Sequence, residues 1–88
     1  SIMKYSARVI ELDSILKDIT SKIMVSDVGT SVSLALGTLR GAYLNVLVNT
    51  KLMKDKEYAT NLEKLSEKML VKYSAIANQT YNDVLERL

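Results

Sequence analysis

Proline, cysteine, histidine, tryptophan and phenylalanine are all missing from these 88 residues, and only three glycines occur, the last at Gly41. With no proline and so little glycine, the chain lacks the residues that most often stop a helix. Without cysteine there is no disulfide, and no thiolate to act as nucleophile or ligand. Without histidine the commonest metal ligand is gone, together with the only side chain that titrates unperturbed near neutrality. Catalysis would have to rest on Asp, Glu, Lys, Ser or Tyr alone, with no glycine-rich phosphate loop to help. These absences point away from an enzyme and away from any bound metal or cofactor.

What is present is a pattern of apolar residues at three- and four-residue steps, the signature of helices that bury one stripe. A first helix is expected over about residues 2–25. Its seam is Tyr5, Val9, Leu12, Leu16, Ile19 and Ile23, coiled-coil-like in spacing, with Ile10, Ile15 and Met24 widening the stripe. The segment Ser26-Asp27-Val28-Gly29-Thr30-Ser31 is read as the break, with Asp27 or Thr30 as cap and Gly29 as the turn residue. A second helix is expected over about 30–49. Val32, Leu34, Leu36, Leu39, Leu44, Val46, Leu47 and Val48 point to several sides of it, and Arg40 is its only charge. A helix apolar nearly all round is a buried one, so this helix is expected in the middle. A third is expected over about 55–88, capped by Asp55, with Tyr58, Leu62, Leu65, Met69, Tyr73, Ile76, Val84 and Leu88 on one face. At 1.5 Å per residue it would span about 50 Å and overhang its partners.

The expected fold is therefore all-α: a single helical domain over 1–88, a three-helix antiparallel bundle or hairpin with a long C-terminal helix. A monomer this small hides only about 60–65% of the surface its unfolded chain exposes. With no disulfide or metal available, homo-oligomerisation is the expected means of completing the core. Tyr81, Leu85 and Leu88, on the overhanging end, and Gly37 and Gly41, spaced for close helix approach, are the expected interface. The stretch 32–48 is nearly long enough to span a bilayer, which needs about 20 apolar residues. Arg40 at its centre would cost about 2.5–3.5 kcal/mol on insertion, so no membrane is expected.

Net charge is +2, from 12 basic and 10 acidic residues, less than the clustered excess typical of a nucleic-acid binder. Lys64, Lys68 and Lys72 do form a row, available to phosphates or to an acidic partner surface, but Glu63 and Glu67 interleave with them. Arg40 must find a partner if buried: a salt bridge to Glu11, Asp13 or Asp18, or an anionic ligand that its planar fork would grip. Leu12-Asp13-Ser14-Ile15 is similar to the arm-bearing Asp-Ser-Leu of acyl carrier proteins, but it lies inside a helix of a basic chain and is set aside. The run Val32-Ser33-Leu34-Ala35-Leu36, with Leu39 and Tyr43, resembles the helical hairpins of small phage proteins that sequester cyclic nucleotides. The third helix has no counterpart in that resemblance.

The functional expectation is a small, non-enzymatic helical interaction protein or inhibitor, of the kind found among phage and mobile-element accessory factors. It would act by binding itself and a partner protein. The first alternative, which the phage resemblance implies, is an oligomeric sponge for a small anionic molecule such as a cyclic nucleotide. Its ligand would lie between protomers against Arg40, Lys22, Lys17, Tyr5 and Tyr43. The second is a nucleic-acid module using the lysine row. The opening Ser1-Ile2-Met3-Lys4-Tyr5 lacks the layout of a secretory signal, and with no cysteine the expected location is the cytoplasm.

Overall fold

The computed structural model describes residues 1–17 and 22–88, with the side chains of Lys22 and Ile23 left out. The expectations placed on Asp18, Ile19, Lys22 and Ile23 lie outside what is described. The described chain is all-helical: α1 (Ile2–Leu16), α2 (Lys22–Leu52) and α3 (Lys56–Arg87). Ser1 caps α1 by accepting from the Lys4 N–H at 3.3 Å, and Asp55 caps α3 by accepting from the Tyr58 N–H at 3.0 Å. Only Met53, Lys54 and Asp55 separate α2 from α3.

Three boundaries differ from the sequence reading, the smallest difference being the end of the second helix at Leu52, not near 49. The first helix ends at Leu16, not near residue 25, and the second begins at Lys22, not near 30. Ser26 to Ser31 is helix, with no break in it. No glycine takes a positive φ, so Gly29 is not a turn residue. The hydroxyls in this stretch serve the helix: Thr30 Oγ1 donates to the Ser26 carbonyl and Ser33 Oγ to the Gly29 carbonyl. A stripe of Val25, Val28, Val32, Ala35, Leu39 and Ala42 runs straight through the supposed break, and every member is buried. Its three- and four-residue steps keep one face inward without interruption.

Gly29 meets Val84 near one end of the molecule, and Thr50 meets Glu63 beside the α2–α3 turn, so α2 and α3 lie side by side in opposite directions. They are matched in length, at 31 and 32 residues, so α3 does not overhang α2 as expected. Helix α1, 15 residues long, is the short element. The whole is a rod of 51 × 16 × 15 Å.

The core is thin and built from small side chains. Its main cluster is Met3, Ile10, Val32, Ala35, Leu39, Ala42 and Ala77, with Leu36, Tyr43, Met69, Tyr73 and Ile76 packed against it. A second cluster joins Val25, Val28 and Val84. On α1 the buried residues are Met3, Ser6, Ala7, Ile10 and Asp13, so the expected seam of Tyr5, Leu12 and Leu16 is exposed instead. Small residues let the helices approach, and that register wins over the one presenting larger side chains. On α3, Tyr58, Leu65 and Leu88 are likewise exposed while Ala59, Ser66, Ala77 and Thr80 are buried.

The second helix is not buried all round. Leu34, Leu44, Val48 and Leu52 are between 59% and 80% exposed. Arg40 is exposed and makes no ion pair among the described residues, so the expected bridge to Glu11 or Asp13 is absent. Glu11 instead accepts from the Tyr73 hydroxyl at 2.6 Å, which ties α1 to α3. Lys17 pairs with Asp83 at 2.9 Å, and Arg87 donates to the Lys17 carbonyl. Met24–Leu52 is long and apolar enough to cross a membrane by length and composition, with mean hydropathy 1.3.

The glycines separate close packing from open space. A Cβ on Gly29 would lie 3.0 Å from Val84 Cγ1, whereas one on Gly37 would meet nothing within 4 Å. Gly37→Ala in dilute solution should raise stability by up to about 1 kcal/mol through helix propensity. Gly29→Ala should lose that gain, because overpacking costs about 1–3 kcal/mol. Urea midpoints measured side by side should place the Gly29 variant below the Gly37 variant.

Candidate ligand groove between the first two helices

The groove of greatest chemical content, about 550 Å³, lies between α1 and α2. Helix α1 contributes Tyr5, Ser6 and Val9, and α2 contributes Asp27, Thr30, Ser31, Leu34, Ala35 and Thr38. Continuity of α2 through residues 26–31 is what lines up Asp27, Thr30 and Ser31 on one wall. The groove is open to solvent on one side, and Tyr5 stands exposed at its lip. Among the described residues Asp27 is its one acidic lining residue, and no Lys or Arg lines it.

Behind this wall sits Asp13, buried on the inner face of α1. The Ser31 hydroxyl donates to its carboxylate, and Oδ2 has no hydrogen-bond partner among the described residues. Burial pushes the Asp13 carboxyl above the ordinary value of 3.8, and the Ser31 hydrogen bond offsets part of that rise. Ser31 thus connects this buried carboxyl to a surface groove. Elsewhere the shifts follow simple partnerships. The Tyr73 hydroxyl is raised by its bond to Glu11, and Asp83 is lowered by hydrogen bonds from Lys17 and then Gln79.

The residues expected to hold an anionic ligand are not brought together within the chain. Tyr5 lines this groove, and Tyr43 is half-buried against the core. Lys17 is engaged with Asp83, and Lys22 lies outside the described side chains. Arg40 lines a different groove of about 270 Å³ between α2 and α3, beside Ala77, Asn78 and Tyr81. The expected interface residues Tyr81, Leu85 and Leu88 do gather, in a groove of about 420 Å³ that also takes in Leu34 and Val84. Gly37 and Gly41 are exposed, and a Cβ at either would meet nothing within 4 Å among the described residues. Lys64, Lys68 and Lys72 form an exposed row flanked by Glu67 and Val71, with Lys72 Nζ 5.3 Å from the centre of the Tyr73 ring. Among the described residues no group of His, Cys, Asp or Glu could hold a metal ion.

Sequence reasoning missed Asp13 and Asp27 as parts of one arrangement. The usable signal was the position of Asp13 three residues after Ile10, on the same inward line as Met3 and Ile10.

The formiminotransferase-cyclodeaminase family pattern matches residues 1–68. The chain belongs to that family. The match takes in α1, α2 and the first part of α3, and so includes every residue lining the groove as well as Asp13. No curated protein and no solved structure matches the chain.

The buried carboxyl gives this arrangement a pH signature. A carboxyl whose folded pKa is raised stabilises the fold while protonated, up to about pH 3.8, the value it titrates at in the unfolded chain. Stability then falls as pH rises from there to the raised folded value, and levels off above it. Denaturant midpoints across acidic to neutral pH should show this decline, superimposed on the opposite trend from the Asp83 pair. Asp13→Asn, which keeps a partner for Ser31, should remove the Asp13 contribution. An unchanged pH profile in Asp13→Asn would contradict the assignment.

Proposed function

We propose that the chain is a helical assembly unit of the formiminotransferase-cyclodeaminase kind, acting through binding and doing no catalysis by itself. The observation that carries this reading is the uncovered face of α2, where Leu34, Leu44, Val48 and Leu52 stand in water. Apolar surface of that extent on one helix marks an interaction site. The family name denotes handling of a formimino group and a ring-forming deamination. The α1–α2 groove holds polar groups suited to binding such chemistry: Asp27 at the wall, Ser31 beside it and Asp13 behind. It is, however, a trough with one side missing. In this reading the groove gains its remaining wall only when further helices settle on α2, whether from a second copy or from a partner protein.

Membership of an enzyme family favours this over a free-standing inhibitor, and it lends no support to a phage origin. The described lining of the groove, with Asp27 and no Lys or Arg, offers an anionic ligand no cation. Ammonia release from a formimino-bearing substrate is the direct assay. Held monomeric by dilution, the purified chain should stay at the uncatalysed background. Turnover by the lone chain that disappears in Asp27→Asn would overturn the proposal, because it would show a complete active site in one copy.

A further inference from the structure

The exposed side of α2 carries a pattern that the chain's own fold does not use. From Asp27 to Lys51, every residue at alternating three- and four-residue steps is exposed. Leu34 and Leu44 provide the large apolar side chains, and Gly37 and Gly41 lie between them. Thr30 and Val48 follow on the outside, and Asp27 and Lys51 end the row. Such spacing keeps one stripe in line along a partner helix crossing at about 20°.

The row is also symmetric. Counting outward from Leu39, which is fully buried on the opposite side of the helix, Gly37 mirrors Gly41 and Leu34 mirrors Leu44. Thr30 mirrors Val48, and acidic Asp27 mirrors basic Lys51. A surface that matches itself in reverse is what a two-fold, isologous contact requires. We propose that α2 pairs antiparallel with α2 of a second copy, about an axis at the level of Leu39.

Each part of the row then acquires a role. The glycines do nothing for the lone chain, since a Cβ at either would meet nothing within 4 Å. Glycine weakens a helix interior, but at the centre of a crossing it lets two backbones come close. Each Leu34 packs on Leu44 of the second copy. Each Asp27 faces Lys51 of the second copy, giving one ion pair at both ends. Among the described residues neither Asp27 nor Lys51 has an ion pair within the chain, so both are available. The Thr30 hydroxyl is turned to the Ser26 carbonyl, which leaves its methyl for Val48. Arg40 flanks the row beside Gly41, where it also lines the groove toward Ala77.

The pairing rests on the reading of α2 as a face awaiting cover, and it names the cover. It also closes the α1–α2 groove, because Lys51 of the second copy comes to stand beside Asp27 and supplies the missing wall.

The absence of cysteine makes the test clean, because a single introduced thiol has no competitor. In the antiparallel pair the two copies of residue 38 lie about 3 Å apart along the helix axis, and the two copies of residue 52 about 39 Å apart. Under mild oxidation Thr38→Cys should form a covalent dimer and Leu52→Cys should not. Equal cross-linking at both positions would mean a parallel pairing, and none at Thr38→Cys would mean no contact there; either result overturns the proposal. Independently, light scattering should show a dimer that the double variant Gly37→Glu/Gly41→Glu converts to a monomer of unchanged helicity. Asp27→Lys or Lys51→Asp alone should weaken association about tenfold, and the two together should restore it. A wild-type chain that stays monomeric at several hundred micromolar refutes the pairing. The ammonia-release outcome is read separately, so failure of the pairing and failure of the functional reading are distinguishable.

Discussion

Close approach of helices through small side chains is the constraint on which the rest of this structure depends. Ala7, Ala35, Ala42, Ala59 and Ala77 are all buried, and Gly29 lies directly against Val84. Side chains of this size fill little volume, so the interior they make is narrow. The larger apolar residues cannot all fit into it. Tyr5, Leu12, Leu34, Leu44 and Leu65 are displaced outward as a direct result. The same packing that makes the rod thin leaves it with an apolar outside.

That trade explains which parts of the fold were legible in the amino-acid order. Three helices and the Asp55 cap follow from local rules, because capping and the absence of breakers act within a few residues, whereas the tightness of the α2–α3 connection was not legible. The phase of each helix does not follow from such rules. On α1 the Tyr5–Val9–Leu12–Leu16 line is more apolar than the Met3–Ser6–Ala7–Ile10 line, yet the second is buried. Hydrophobicity alone ranks the first line higher. The decision belongs to the neighbour, which comes closest where Ser6 and Ala7 stand. The supposed break at Ser26–Ser31 failed for a related reason. Its polar and small residues suit a turn when taken singly, but the stripe from Val25 to Ala42 shows that they interrupt nothing.

The candidate site was less legible still. Asp13 looks ordinary in the chain, because nothing local says that it will be buried, with one oxygen unpaired among the described residues. Its elevated proton affinity comes from α2 packing over it, a tertiary effect. Asp27 was recognised only as a cap, and its place beside Thr30 and Ser31 on a groove wall became visible once the helix was seen to be continuous. The lysine row and the Tyr81–Leu85–Leu88 cluster, in contrast, came directly from helical spacing. Periodicity finds surfaces well. It finds enclosed polar groups poorly, since those depend on which faces meet.

The ties that hold α1 span nearly the whole chain. Tyr73 reaches Glu11 across 62 positions, Asp83 holds Lys17, and Arg87 reaches the Lys17 carbonyl across 70. During synthesis α1 leaves the ribosome before any of these anchors exists. Helices α2 and α3, joined by a three-residue turn, make contacts local enough to form early, whereas these ties to α1 must wait for the end of α3. Of these three helices, the first made is thus the last to receive its ties to the far end of α3, and Asp83 and Arg87 reach Lys17 only when the final turn of α3 has emerged.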